Sequence, residues 1–79
     1  MMTLKQLLSN EGFLLDTTRI SITADDTVLA DKISYDELQK RLKTDLAEYA
    51  SQMIMTSDWY WDMDVLVYRL DIHISSPKL

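Results

Sequence analysis

The longest regular pattern of apolar positions predicts a helix over residues 35–54. Leucine, tyrosine, alanine, methionine and isoleucine recur there at spacings of three and four, the repeat of one helix face. Ser34 and Glu37 form a capping box, in which each side chain accepts a hydrogen bond from the other residue's backbone N–H. Asp36 and Glu37 suit the positive end of the helix dipole, and each precedes a basic residue by four positions. We therefore expect one long amphipathic helix.

A shorter helix is predicted near the N-terminus, over residues 4–10. Thr3 and Gln6 form another capping box, and the leucines that follow share one helix face. Gly12 offers a left-handed residue at which this helix ends.

Two strands are expected after this helix. Residues 17–23 are β-branched and alternate, which places their two isoleucines on one face of a strand, and Leu14 and Leu15 extend it backwards. A turn at Asp25 and Asp26 then allows residues 28–33 to return as a second antiparallel strand. The alternative for 28–33 is a short helical turn capped by Asp26.

The C-terminal region predicts a third, long strand over residues 63–74, where apolar and polar positions alternate. Residues 56–58 are a polar break before it, and 76–79 are a C-terminal tail after a single domain at 1–75. The order is helix, strand, strand, helix, strand. These elements predict an α+β domain with a small antiparallel sheet of about three strands, packed on one long amphipathic helix.

An aromatic segment precedes the last strand and gives the main functional hypothesis. If the extended conformation begins at the first tryptophan, one face carries five apolar side chains: Trp59, Trp61, Met63, Val65 and Val67. The opposite face is also apolar, and the long helix can cover only one of the two. Exposed tryptophan and tyrosine are typical of binding surfaces. The alternative is that both indoles belong to the core, folded over the helix end near Met53 and Met55.

Composition narrows the classes of function. The 79 residues carry 13 acidic and 8 basic side chains, a net charge of −5, and no cysteine. The acidic balance argues against direct binding of DNA or RNA, and the high apolar content argues against disorder. Without cysteine there is neither a disulfide framework nor a thiolate zinc site, which favours the cytoplasm. No apolar run is long enough to cross a membrane, and no secretion signal is expected.

The sequence gives little support for a catalytic, metal or cofactor site. His73 is the only histidine, and Ser75 and Ser76, next to it in sequence, are poor candidates for a catalytic pair near a chain end. Asp62 with Asp64, and Asp71 with His73, are too few ligands for calcium or a transition metal, and Asp71 is expected to pair with Arg69 or a neighbouring strand instead. No glycine-rich phosphate loop occurs. We expect no enzyme activity and no cofactor.

The leading hypothesis is a non-enzymatic cytoplasmic module that uses its aromatic surface to dimerise or to bind another protein. Its size is typical of accessory proteins of phages or mobile elements. The alternative is an acidic mimic of nucleic acid that inhibits a DNA- or RNA-binding protein, as anti-restriction and anti-CRISPR proteins do. That alternative requires the fold to gather eight carboxylates: Asp25, Asp26, Asp31, Asp36, Glu37, Asp58, Asp62 and Asp64.

Overall fold

The computed structural model describes residues 2–9 and 17–75. Its elements are, in chain order, α1 (Leu4–Ser9), β1 (Arg19–Ala24), β2 (Thr27–Ile33), α2 (Tyr35–Arg41), a 3-10 turn (Ala47–Tyr49), β3 (Ile54–Asp62) and β4 (Val67–Ile74). The four strands form one sheet in the order β2-β1-β4-β3. The predicted α+β class is confirmed, whereas the number of strands, the length of the second helix and the order of elements differ from the prediction.

The sheet is mixed rather than antiparallel. Its two central strands, β1 and β4, run parallel, and each edge strand runs antiparallel to its neighbour. Ile20 lies opposite Leu70 and Ile22 opposite Ile72, so the apolar positions of both central strands fall on one face. Parallel neighbours need a long connection between them. Here that connection contains β2, α2 and β3.

The hydrophobic core lies between this face of the sheet and the helices. Its buried side chains are Leu4, Leu8, Ile20, Ile22, Ala24, Ala30, Leu38, Leu46, Leu70, Ile72 and Ile74. Helix α2 packs against β1 and β2. Helix α1 is tied to the segment before β3, where Leu4 N donates to the Gln52 carbonyl at 3.0 Å and Lys5 N donates to the Ala50 carbonyl at 2.9 Å. Helix α2 therefore lies at the β2 side of the sheet, whereas α1 contacts the segment before β3.

The N-terminal half follows the sequence closely. Thr3 N donates to Gln6 Oε1 at 3.0 Å and Gln6 N donates to Thr3 Oγ1 at 3.2 Å, which is the capping box predicted for α1. Strands β1 and β2 match the predicted hairpin, so the helical-turn alternative for 28–33 is wrong. The predicted helix end at residue 10, the role of Gly12, the extension through Leu14 and Leu15, and the tail at 76–79 lie outside the described residues.

The prediction of one long helix over 35–54 is wrong, because α2 ends at Arg41. The Thr44 hydroxyl donates to the Lys40 carbonyl at 3.2 Å and reaches the Arg41 carbonyl at 3.4 Å, and Leu46 N also donates to the Arg41 carbonyl at 2.8 Å. A side chain that bonds backbone carbonyls competes with the regular helical bonds. The apolar spacing continues beyond Arg41, but the backbone there forms turns instead of a helix. These turns bring Leu46 into the core.

The prediction of a single long strand over 63–74 is also wrong, because a turn at 63–66 separates β3 from β4. Asp62 initiates this turn by accepting from Asp64 N at 2.9 Å through its side chain and from Leu66 N at 2.8 Å through its carbonyl. Leu66 takes a left-handed φ of 58° there. The predicted polar break at 56–58 is part of β3.

None of the helices in the described residues is both long and apolar enough to cross a membrane.

Candidate binding surface at the β3–β4 hairpin

Cross-strand pairing decides which side of the sheet each hairpin residue occupies. Directly opposite residues of antiparallel strands share a face. Trp59 lies opposite Leu70 and Trp61 opposite Tyr68, so both indoles lie on the face that bears the helices and the core. After the bulge near the start of β3, the even-numbered residues of this strand lie on the other face.

The aromatic side chains on the helix-bearing face extend beyond the core. Trp59 is 39% exposed, Trp61 44% and Tyr68 51%. Trp61 and Tyr68 pack edge to face, with ring centroids 5.0 Å apart and an interplanar angle of 72°. Helix α2 contacts β1 and β2, at the far side of the sheet from β3. The interpretation of both tryptophans as sealed core residues is therefore wrong.

The turn that follows β3 adds further exposed apolar side chains. Met63 is 74% exposed, and Val65 and Leu66 are exposed beside it. We define the hairpin surface as Trp59, Trp61, Met63, Val65, Leu66 and Tyr68. Val67 does not belong to it, because Val67 lies opposite Asp62 on the other face of the sheet and is partly buried. The predicted five-residue stripe thus ends as a strand after Trp61, because Met63 and Val65 lie in the turn and Val67 lies on the other face.

On the opposite face, a buried arginine organises the polar residues. Arg69 is 8% exposed, and its Nη1 donates to Asp62 Oδ2 at 3.0 Å. Its Nη2 lies 3.9 Å from Asp71 Oδ1, and the guanidinium carbon lies 5.5 Å from the Tyr60 ring centroid. The expected pairing of Asp71 with Arg69 is confirmed. The guanidinium joins β4 to the edge strand β3 at the end of the hairpin next to the turn.

Two pKa values are perturbed in this polar cluster. Desolvation, together with the nearby Asp71 carboxylate, raises the pKa of Tyr60. The backbone N–H of Asp64 and the hydrogen bond from Arg69 lower the pKa of Asp62. At neutral pH, Tyr60 therefore carries its proton and Asp62 its negative charge, which keeps the ion pair with Arg69 intact.

The residues weighed for catalysis are separated by the fold. His73 Nδ1 lies 3.3 Å from the Thr56 hydroxyl on the open face, whereas the Ser75 hydroxyl donates to Gln52 Oε1 at 3.1 Å. The dyad of Ser75 with His73 is therefore not formed, and Ser76 lies outside the described residues. Within residues 2–9 and 17–75, no group of three histidines or acids is placed to hold a metal ion.

A shallow hollow of about 210 Å³ lies over the open face of the central strands. Ser21, Asp31, Asp71 and His73 are among the side chains that line it. The Ser21 hydroxyl accepts from Lys32 N at 3.0 Å, at a bulge where Lys32 has a φ of 56°. This serine thus holds the irregular edge strand β2 in place.

The eight acids of the nucleic-acid-mimic hypothesis fall into two groups. Asp25, Asp26 and Asp31 lie in or beside β2, and Asp36 and Glu37 begin α2. The second group lies in the hairpin at the other edge of the sheet: Asp58, Asp62 and Asp64. Strands β1 and β4 separate the two edges, by roughly 14 Å at the usual strand spacing. The two groups therefore lie at opposite edges of the sheet.

The position of β3 at one edge of the sheet is a feature that the sequence pattern did not predict. On its inner side β3 pairs with β4. On its outer side, among the described residues, Ile54 N donates to the Met2 carbonyl at 2.9 Å and Thr3 bridges Met53. An aspartate followed by turn residues between two alternating segments was the signal for this hairpin.

Comparisons of this chain with models of protein families, with curated proteins and with solved structures found no match.

Proposed function

We propose that this chain is a non-catalytic protein-binding module of the cytoplasm, with the hairpin surface as its docking site. The observation that carries the proposal is the half-exposed aromatic group Trp59, Trp61 and Tyr68 on the face where the rest of the sheet is covered. Tryptophan and tyrosine give large contact areas at low entropic cost, which is why they dominate the energetics of protein interfaces.

The extent of the surface supports the same proposal. Its six side chains are between 39% and 74% exposed. With about 200 Å² for a large side chain, they expose roughly 650 Å² together. The largest apolar patch on a typical monomeric protein is about 300–600 Å² and is itself often functional. The hairpin surface is therefore large for a chain of 79 residues.

Photo-crosslinking tests the proposal directly. A photoreactive phenylalanine analogue replaces Tyr68 in the full chain, and a matched variant carries it at Val28, an exposed position on the opposite edge strand. In extracts of the producing cell, we expect a defined protein adduct from position 68 and none from position 28. Trp61→Ala, which removes the neighbouring indole, should abolish the adduct.

The outcome separates the candidate functions. Apolar docking predicts that the adduct persists at about 1 M salt, where charges are screened within about 3 Å. Loss of the adduct at that salt concentration would instead favour the acidic-mimic hypothesis. Equal labelling from positions 28 and 68, or no adduct from position 68, would refute a docking function of the hairpin.

A further inference from the structure

Resting on the proposed binding function, we infer that the hairpin docks into a groove of a second copy of this chain. The docking part is the hairpin tip, which we define as the turn residues Met63, Asp64, Val65 and Leu66. The groove lies between α1 and α2. Three features carry the inference: the opposite charges of tip and groove, their apolar side chains, and the distance between them within one chain.

The groove between the two helices has a volume of about 210 Å³. Leu8 and Leu42 are among the side chains that line it, and they give it apolar walls. Tyr35 holds the helices together there, because its hydroxyl donates to the Leu8 carbonyl at 3.1 Å and accepts from Gln39 Nε2 at 2.8 Å. The first of these bonds joins α2 to α1. The groove is therefore already formed in the folded chain, so little ordering is needed when it binds.

The groove and the hairpin tip carry opposite charges. Lys5 and Lys43 line the groove, and the described side chains that line it include no acid. The tip carries the exposed carboxylate of Asp64, in a stretch of the sequence, residues 44–68, that contains five acids and no basic residue. Complementary charges select the partner and its orientation. Because each copy has a net charge of −5, contacts between copies that lack such complementarity are disfavoured.

The hairpin tip also supplies apolar side chains that suit the groove. Met63 is 74% exposed, Leu66 65% and Val65 61%. An unbranched methionine adapts to the shape of an irregular apolar site. A contact limited to the tip and the groove falls in the class of small interfaces, below about 1,200 Å² in total, which are weak. We therefore expect a dissociation constant of about 0.1 mM.

The hairpin tip cannot reach the groove of its own chain. Lys5 N donates to the Ala50 carbonyl at 2.9 Å, which places α1 beside the segment before β3. The tip instead follows Asp62, the last residue of this nine-residue strand. Nine residues of strand span roughly 27 Å, whereas the six residues of α1 span only about 9 Å. A contact between tip and groove must therefore join two copies.

Charge reversal on each side of the contact, followed by mixing, tests the inference. Asp64→Lys makes the tip basic like the groove, and Lys5→Glu with Lys43→Glu makes the groove acidic like the tip. All three residues are exposed, so both variants should fold, which circular dichroism checks. In sedimentation up to about 1 mM, we expect the mass of the native chain to rise above 9.2 kDa. Either variant alone should associate at least ~10-fold more weakly.

An equimolar mixture of the two variants should restore the association. The mixture again pairs an acidic tip with a basic groove, and it also pairs a basic tip with an acidic groove. The matched control is Asp58→Lys, which makes the same change of charge as Asp64→Lys at an exposed position of the same hairpin outside the tip. This control should associate as tightly as the native chain.

Disulfide trapping tests the same contact by a gain of covalent bonding. The chain has no cysteine, so each introduced thiol is unique. Chains with Met63→Cys are mixed with chains that carry Lys43→Cys, and a disulfide requires Cα atoms within about 7 Å. We expect a covalent dimer with one chain of each kind, formed faster than any dimer of Met63→Cys with itself. Val28→Cys, at an exposed position of β2, replaces Lys43→Cys as the control and should give no such dimer.

The results distinguish this inference from the function on which it rests. A native chain that stays monomeric over the whole concentration series would overturn the inference. A mixture that associates no more tightly than the separate variants would overturn it as well, and so would equal trapping of Met63→Cys by Lys43→Cys and by Val28→Cys. A photo-adduct whose mass shows a different protein at position 68 would refute the second copy while supporting the docking function.

Discussion

The contact between α2 and the sheet depends on Leu38, and its removal should cost a large part of the stability of this domain. Leu38 is fully buried in the core. Replacement of such a leucine by alanine removes the transfer free energy of three carbon atoms and leaves a cavity, at a cost of about 2–5 kcal/mol. We expect Leu38→Ala to lower the free energy of unfolding by about 3 kcal/mol.

This loss is large because the domain is small. At about 0.05–0.15 kcal/mol per residue, a chain of 79 residues has roughly 4–12 kcal/mol in total. For a domain of this size each kcal/mol shifts Tm by about 4–8 °C, so Leu38→Ala should lower Tm by roughly 12–24 °C. The variant should still fold, but with a lower free energy of unfolding and a lower Tm.

Urea unfolding monitored by circular dichroism measures the effect, at one fixed protein concentration because self-association would add to the stability. Val28→Ala is the control, since Val28 is exposed on β2 and its truncation should change the free energy by less than about 0.5 kcal/mol. A loss below about 1 kcal/mol for Leu38→Ala, or an equal loss for the control, would show that α2 does not pack on the sheet through this residue.

Three further predictions address the caps, the hairpin turn and the ion pair. Ser34→Ala removes the acceptor for Glu37 N, now at 3.2 Å, and should cost about 1 kcal/mol in urea unfolding, whereas Ser51→Ala in an exposed turn should cost little. Leu66→Gly relieves the left-handed φ of 58° and should raise stability by up to about 1 kcal/mol; Met63→Gly in the same turn should lower it, and the opposite order would refute this turn geometry. The lowered pKa of Asp62 means that its carboxylate stabilises the folded state above its ordinary pKa of 3.8 and loses this effect as the pH falls below that value. Stability measured between about pH 5 and pH 2 should therefore fall less steeply for Asp62→Asn than for the native chain, and identical slopes would contradict the hydrogen bonds that the Asp62 carboxylate accepts from Asp64 N and Arg69.

The sequence determined the elements whose signals are local. The capping box at Thr3 and the N-cap at Ser34 mark both helix starts, because the bonds that form them join residues three positions apart. The alternation in β1 and β4 marks the buried faces of the central strands, since period two leaves no other way to bury the isoleucines. The aromatic segment was also identified as a candidate surface from its residues alone.

Tertiary structure decided where the elements end and how they are arranged. Nothing in the apolar spacing of 35–54 distinguishes a helix from a helix followed by turns, because Leu46 reaches the core in either form. The parallel pairing of β1 with β4 joins residues about fifty positions apart, a contact that no local pattern encodes. The exposure of Trp59 and Trp61 follows from the same cause. Which strand becomes the edge, and which side α2 leaves open, depends on the packing of the whole chain rather than on the residues of the strand.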